Sequence, residues 1–136
     1  MPGRPILIVD DDIDHAVILR TVLASVAPDA TAEVCTDPGR MPDVVIESAT
    51  DALVFMDRRL GGADSIAYLD AVREARPDVR VVLLSSALAE EDRTRALDAG
   101  ASEAIEKPGT LAEWRVLLAR ILGPDERPRD AAIRAS

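Results

Sequence analysis

The chain has 136 residues and a mass of 14.6 kDa, one domain's worth, and its 48% apolar content excludes wholesale disorder. Aromatics are only 2% (Phe55, Tyr68 and Trp114), so the core has to be aliphatic. Sixteen basic residues against 25 acids give a net charge of −9, which argues against bulk electrostatic binding of nucleic acid or anionic membrane, and the lone Cys35 excludes an intrachain disulfide. The apolar run Pro5 to Val9 is too short for a signal-peptide core or a bilayer span, so a soluble, cytoplasmic protein is expected.

In chain order, short β-branched runs alternate with longer amphipathic ones. Strands are predicted at Ile6 to Val9, Thr31 to Cys35, Ala52 to Met56, Val79 to Leu84 and Ser102 to Ile105, most of them continuous apolar runs that suit strands covered on both faces. Helices are predicted at Ile13 to Val26, Met41 to Ser48, Asp64 to Ala75, Glu90 to Ala99 and Leu111 to Leu122. Asp12, Asp64 or Ser65, and Thr110 are the candidate N-caps; Pro77 and Gly100 are stop signals. Gly123-Pro124 breaks the last helix, so residues 1–123 read as the domain and 124–136 as a flexible Arg/Asp-rich tail with no output domain following. Five βα units with right-handed crossovers give an α/β fold, a doubly wound five-stranded parallel sheet of flavodoxin-like order 2-1-3-4-5. Its ligand crevice lies at the carboxyl ends of the first and third strands.

The residues that follow the strands share that edge. They are Asp10-Asp11-Asp12 after the first, Asp57 after the third, Ser85-Ser86 after the fourth and Lys107-Pro108 after the fifth. Clustered carboxylates repel, and a hard cation or an ammonium can offset that. An oxygen-only site with few protein ligands suits Mg²⁺. Asp57 can then act as a nucleophile that takes a phosphoryl group. Lys107 is the only Lys beside 15 Arg, which singles out a place that needs an amine.

With these landmarks in order, and with Ala99-Gly100-Ala101 before the fifth strand, the chain resembles the response-regulator receiver domain of bacterial two-component signalling from about Pro5 to Leu122. The resemblance implies that Asp57 is the phosphoacceptor. It implies that Asp10 and Asp11 form an acidic pocket, with Asp11 and the backbone carbonyl of Arg59 as Mg²⁺ ligands beside Asp57. Ser85 and Lys107 would hold phosphoryl oxygens, and Lys107-Pro108 is often cis in this family. The implied partners are a sensor histidine kinase or histidine phosphotransfer protein, a downstream protein and a homodimer. The sequence departs from the family pattern in four places. Gly61 stands where Pro is frequent, and Ala104 where an aromatic switch residue is common; Arg59 and Ala87 occupy positions that tune phosphoryl lifetime. Arg58 and Arg59 would screen the pocket or steer a phosphodonor.

Each residue also has a plainer reading. Asp12 reads as a helix cap, Ser86 as a helix-entry hydroxyl, Trp114 as packing, and His15 as an exposed helix residue without a partner. Ile18, beside a polar arc, hints at a partner surface. Two rival functions remain. One is a non-phosphorylated adapter with the same fold. The other is a haloacid-dehalogenase-type phosphatase with Asp10 as nucleophile, for which the chain lacks a later acidic pair and a cap domain.

Overall fold

The computed structural model describes residues 5–122. Seven strands and five α-helices follow in the order β1 (Pro5–Val9), α1 (Ile13–Val26), β2 (Thr31–Cys35), α2 (Met41–Ile46), β3 (Leu53–Asp57), β4 (Arg59–Leu60), β5 (Ala63–Asp64), α3 (Ile66–Ala75), β6 (Arg80–Ser85), α4 (Glu90–Ala99), β7 (Glu103–Glu106) and α5 (Leu111–Leu122). The main sheet is parallel with order β2-β1-β3-β6-β7, the predicted 2-1-3-4-5 once the short β4-β5 pair is set aside. The flexible tail expected at 124–136 lies outside the described residues.

Period-two alternation divides the core into two layers. Leu7, Val9, Val54, Met56, Val81 and Leu83 face α2, α3 and α4 through Met41, Val45, Leu69, Val72 and Ala96. Ile6, Ile8, Leu53, Phe55, Val82 and Leu84 face α1 and α5 through Leu19, Leu23, Trp114 and Leu118. The central strands β1, β3 and β6 are therefore apolar along almost their whole length. Edge strands β2 and β7 bury only Cys35 and Ala104 and leave their other residues half-buried or exposed, which is why their sequences are the more polar.

Three predicted strands lie one residue too far toward the N-terminus. The ladder sets the ends: Asp57 pairs with Leu84 and Ser85 with Glu106, so these polar residues close their strands and do not start loops. Two helices are also shorter than expected. Helix α2 ends at Ile46, where the Ser48 hydroxyl caps the Val45 carbonyl at 2.6 Å. Helix α3 starts at Ile66 because Ala63 and Asp64 are taken by the β4-β5 hairpin. This hairpin is not among the predicted elements, although Gly61 and Gly62, at φ 59° and 85°, supply the positive φ its two-residue turn needs.

Asp12 caps α1, accepting from the amides of Asp14 and His15 at 3.0 and 3.3 Å. Thr110 caps α5 through the Glu113 amide at 3.1 Å. Helix α4 has Ala89 at its N-cap, so Ser86, exposed, is not the helix-entry hydroxyl expected. All peptide bonds of the described residues are trans. Lys107-Pro108 thus adopts the isomer that X-Pro bonds intrinsically favour, not the cis form the resemblance implied. At the amino ends of the strands, the Arg76 guanidinium donates to the carbonyls of Ile46, Ser48 and Ala49 at 2.7 to 3.1 Å and pairs with Asp78 at 2.9 Å, pinning the α2-β3 connection.

Gly100 closes α4 at φ 122°, and a Cβ there would lie 3.0 Å from Cδ and 3.1 Å from Cβ of Arg73. Gly100→Ala is expected to lower the unfolding free energy by about 1–3 kcal/mol, from backbone strain plus that contact, as read by urea denaturation. An unchanged midpoint would show that the turn relaxes freely.

Candidate functional site

The carboxyl ends of β1, β3, β6 and β7 converge because the sheet is parallel and every strand points the same way. The Asp10 amide bonds the Cys35 carbonyl at 3.1 Å, the Arg58 amide that of Leu84 at 2.8 Å, and the Lys107 amide that of Ser85 at 2.7 Å. The ladder thus extends one residue past several strand ends and fixes the backbone at the mouth of the site. Asp10, Asp11 and Asp57 each place an oxygen within 4.8 Å of the other two.

Their environments differ. Asp10 is 2% exposed; Oδ1 accepts the Asp12 amide at 3.0 Å, and Oδ2 accepts from Nδ1 of His15. Asp11 is exposed, and its Oδ2 accepts the Gly61 amide at 2.8 Å. The Gly61-Gly62 turn makes that contact by folding the hairpin back toward β1. Asp57 meets Lys107 Nζ at 3.2 Å and, more weakly, the Arg59 amide at 3.4 Å. The Ser65 hydroxyl, wholly buried, donates to the Asp57 main-chain carbonyl at 2.8 Å, and the Ser65 amide to the Arg58 carbonyl at 2.7 Å. Ser65 therefore holds the Asp57 end of β3 and does not cap α3 with its side chain; Asp64 does so, accepting the Ile66 amide at 3.1 Å.

Burial raises the Asp57 pKa above its ordinary value, and the nearby Asp10 charge raises it further. Lys107 opposes both and only partly offsets them. For Asp10 burial pushes upward too, but the His15 hydrogen bond, the Asp12 amide and the Lys107 charge outweigh it, so its carboxyl is held below the ordinary range. The pocket thus contains one carboxylate committed to its charge and one that resists it.

The structure brings Asp10, Asp11, Asp57 and Lys107 together. Ser85 reaches the same edge, 6% exposed, but its hydroxyl donates to the Ala87 carbonyl at 2.7 Å. Arg59 approaches Asp57 through its backbone while its side chain is exposed. Arg58 does not screen the pocket. Its guanidinium bridges Asp64 and Asp92, each at 3.1 Å, where Arg95 joins the same two carboxylates. This network ties the loop after Asp57 to the first turn of α4. Ala104 is buried, and its carbonyl accepts Arg93 Nη1 at 2.6 Å, a second tie between α4 and the sheet.

His15 is the main correction. Its side chain is only 20% exposed, bonded to Asp10 and with its ring centroid 5.6 Å from that of Trp114. No second His or Cys was needed to give it a partner. The signal was present in the sequence: Asp12 starts the helix, so His15 falls in its first turn, close above Asp10. Trp114 packs in the core as expected, 6% exposed. Ile18 is open to solvent, as are Ile13 and Val17 on the same helix. Among the described residues no helix is long and apolar enough to cross a membrane.

Residues 6–119 match the response regulator receiver domain family. The transcriptional regulatory protein VxrB of Vibrio cholerae is 29% identical over 98% of this chain and 52% of its own length. The chain spans about half or less of the first curated relatives it matches. Among solved structures, the signal receiver domain of a DNA-binding response regulator from Colwellia psychrerythraea 34H superposes with a TM-score of 0.75 at 21% identity, over 88% of this chain and 98% of that one. A Burkholderia pseudomallei response regulator, solved with a phosphorylated aspartic acid and a calcium ion, gives 0.73 at 17% identity, over 96% of this chain and 72% of that one.

Because the Asp57 pKa is raised on folding, the unfolded chain binds fewer protons between an ordinary 3.8 and the folded value, and stability falls as pH rises through that window. Asp57→Asn is expected to raise the melting temperature at pH 7 by roughly 2–6 °C, a gain that shrinks at pH values below the ordinary Asp pKa. Thermal scans at both pH values in metal-free buffer check this, and a lower melting temperature at pH 7 would contradict it.

Proposed function

The chain belongs to the response regulator receiver domain family, and from that premise we propose that it works as a phosphorylation-driven switch of a two-component phosphorelay, with Asp57 as the acceptor. The observation that carries this is the Asp57 carboxylate, at the end of a buried strand, against the chain's only Lys and beside two further carboxylates. The donor would be a sensor histidine kinase or a histidine phosphotransfer protein. An Asp57 oxygen would attack phosphorus as the phosphorus–nitrogen bond of the donor phosphohistidine breaks.

An all-oxygen donor set with two or more carboxylates fits Mg²⁺. Asp11, Asp57 and the Arg59 carbonyl would hold it, with Asp10 completing the acidic wall. When bound, the cation supplies charge neutralisation for the phosphoryl oxygens. Lys107 already lies at the acceptor oxygen and would stabilise the negative charge of the phosphoryl group. The Ser85 hydroxyl would leave the Ala87 carbonyl for a phosphoryl oxygen. That turn would shift the β6-α4 loop, and the Arg58 and Arg93 ties would pass the shift to α4. Ala104 lacks the bulk of an aromatic switch, so these two arginines take over the coupling of α4 to the sheet. The changed surface would meet a downstream protein or a second copy of the chain, and the reaction remains self-modification without substrate turnover.

The arrangement disfavours the phosphatase rival. Asp10, its required nucleophile, is buried with both oxygens engaged by Asp12 and His15, whereas Asp57 faces the amine.

Incubation with acetyl phosphate and Mg²⁺, followed by intact-protein mass, is expected to show one added phosphoryl group that requires Mg²⁺ and vanishes in Asp57→Asn. Lys107→Ala should slow the labelling roughly 100-fold. Partner binding that is identical in wild type and Asp57→Asn, with no labelling, would favour the adapter reading instead.

A further inference from the structure

We propose that His15 is a positioning residue for the acidic pocket, and that it carries the occupancy of the cation site to Trp114 on α5. The inference rests on the cation reading given above and names a residue outside the motif that supports it.

Asp10 is almost wholly removed from water, so its orientation depends on the hydrogen bonds it can find in the protein. It has two: the Asp12 amide fixes Oδ1 and the His15 ring fixes Oδ2. The amide comes with the backbone of the helix start and survives any side-chain change. The His15 bond is the variable one. Removing it leaves a buried carboxylate oxygen without a donor, next to Asp57. Such an oxygen either turns toward the other carboxylates and adds to their repulsion, or takes up water. In either case the pocket no longer presents its carboxylates in the order that a small cation needs. Groups that orient a metal site from outside its ligand set typically contribute 10–100-fold to metal affinity.

The imidazole also meets α5. The His15 and Trp114 rings are tilted by 58° at a centroid distance of 5.6 Å. Trp114 packs with Leu118 and Ile121 in the layer that joins α1 and α5 to the sheet. A cation that draws Asp10 toward it pulls on His15, and the ring cannot rotate without changing its contact with Trp114. This route runs through the face opposite α4, so it is separate from the Arg58 and Arg93 ties. It would reach helix α5 without the aromatic residue that Ala104 replaces.

Trp114 is the only Trp of the chain, so the Trp emission comes from this one ring and its surroundings, the His15 contact included. The experiment is a Mg²⁺ titration of wild type, His15→Leu and His15→Gln, followed in parallel by calorimetry and by Trp114 fluorescence. Leu removes the donor and the ring. Gln keeps an N–H donor at a partly exposed position and is expected to fold if Leu does not. Wild type should bind Mg²⁺ with a change in Trp114 emission. His15→Leu should bind about tenfold more weakly and lose the emission change. His15→Gln should recover most of the affinity but not the emission change, because the ring contact is gone. Absence of Mg²⁺ binding in wild type would overturn the cation reading itself. Binding in wild type with an unchanged dissociation constant in both variants would overturn the positioning role alone. An emission change that persists in both variants would overturn the coupling to Trp114.

Discussion

Asp10 and Asp57 stand close together at the mouth of a parallel sheet, both largely removed from water, and that proximity governs the rest of the site. In a low-dielectric setting two such charges repel strongly. Each has therefore acquired a different companion. Asp10 has an amide and an imidazole and keeps its charge. Asp57 has an ammonium that falls short of the repulsion, so its carboxylate is held at a higher free energy than it would have in solution. A group in that condition gains from anything positive that arrives, whether a metal ion or an electrophilic phosphorus. The fold does not stabilise the Asp57 charge; it stabilises the surroundings and leaves that carboxylate dissatisfied.

Those surroundings explain features that look unrelated. Ser65 is a wholly buried hydroxyl whose bond goes to the main chain of Asp57, so the strand end cannot relax outward. The Gly61-Gly62 turn brings an amide to Asp11, which would otherwise wave in solvent. Arg58 turns away from the pocket to hold Asp64 and Asp92. Exposed ion pairs contribute little to stability, but Arg58 is mostly buried and shared by two carboxylates, so its value lies in fixing the position of α4 relative to the loop after Asp57. The site is thus rigid on the side of β3 and connected to helices on both faces of the sheet.

Much of this was legible in the sequence. Continuous apolar runs placed the three central strands; the apolar spacing of α1, the Gly100 stop of α4, and Thr110 with Gly123-Pro124 around α5 placed those helices at their observed limits. Order along the chain was enough to bring Asp10, Asp57 and Lys107 to one edge, because a parallel sheet sends every strand end the same way. What escaped depended on distance in three dimensions. His15 looked solitary because its partners are an aspartate one helix turn below and a tryptophan almost a hundred residues later. Ser65 looked like a helix cap because hydroxyls before helices usually are; only the hairpin, with two residues in each strand, returns it to Asp57. Arg58 looked like a pocket residue from its neighbour in sequence, and nothing local shows that Asp92 will stand in reach.

The solitary amine at Lys107 has a chemical corollary. The chain replaces lysine by arginine everywhere else, and a guanidinium does not react with the acylating reagents that modify amines. Such a reagent finds a single side-chain amine on this protein, beside the terminal α-amino group. Its product would be a neutral amide at the one place where positive charge faces Asp57. Acylation, whether by a reagent or by metabolic acyl donors, would therefore not scatter over the surface as it does on a lysine-rich protein. It would act as an all-or-none chemical lesion of the pocket, readable as one acylated peptide around Lys107.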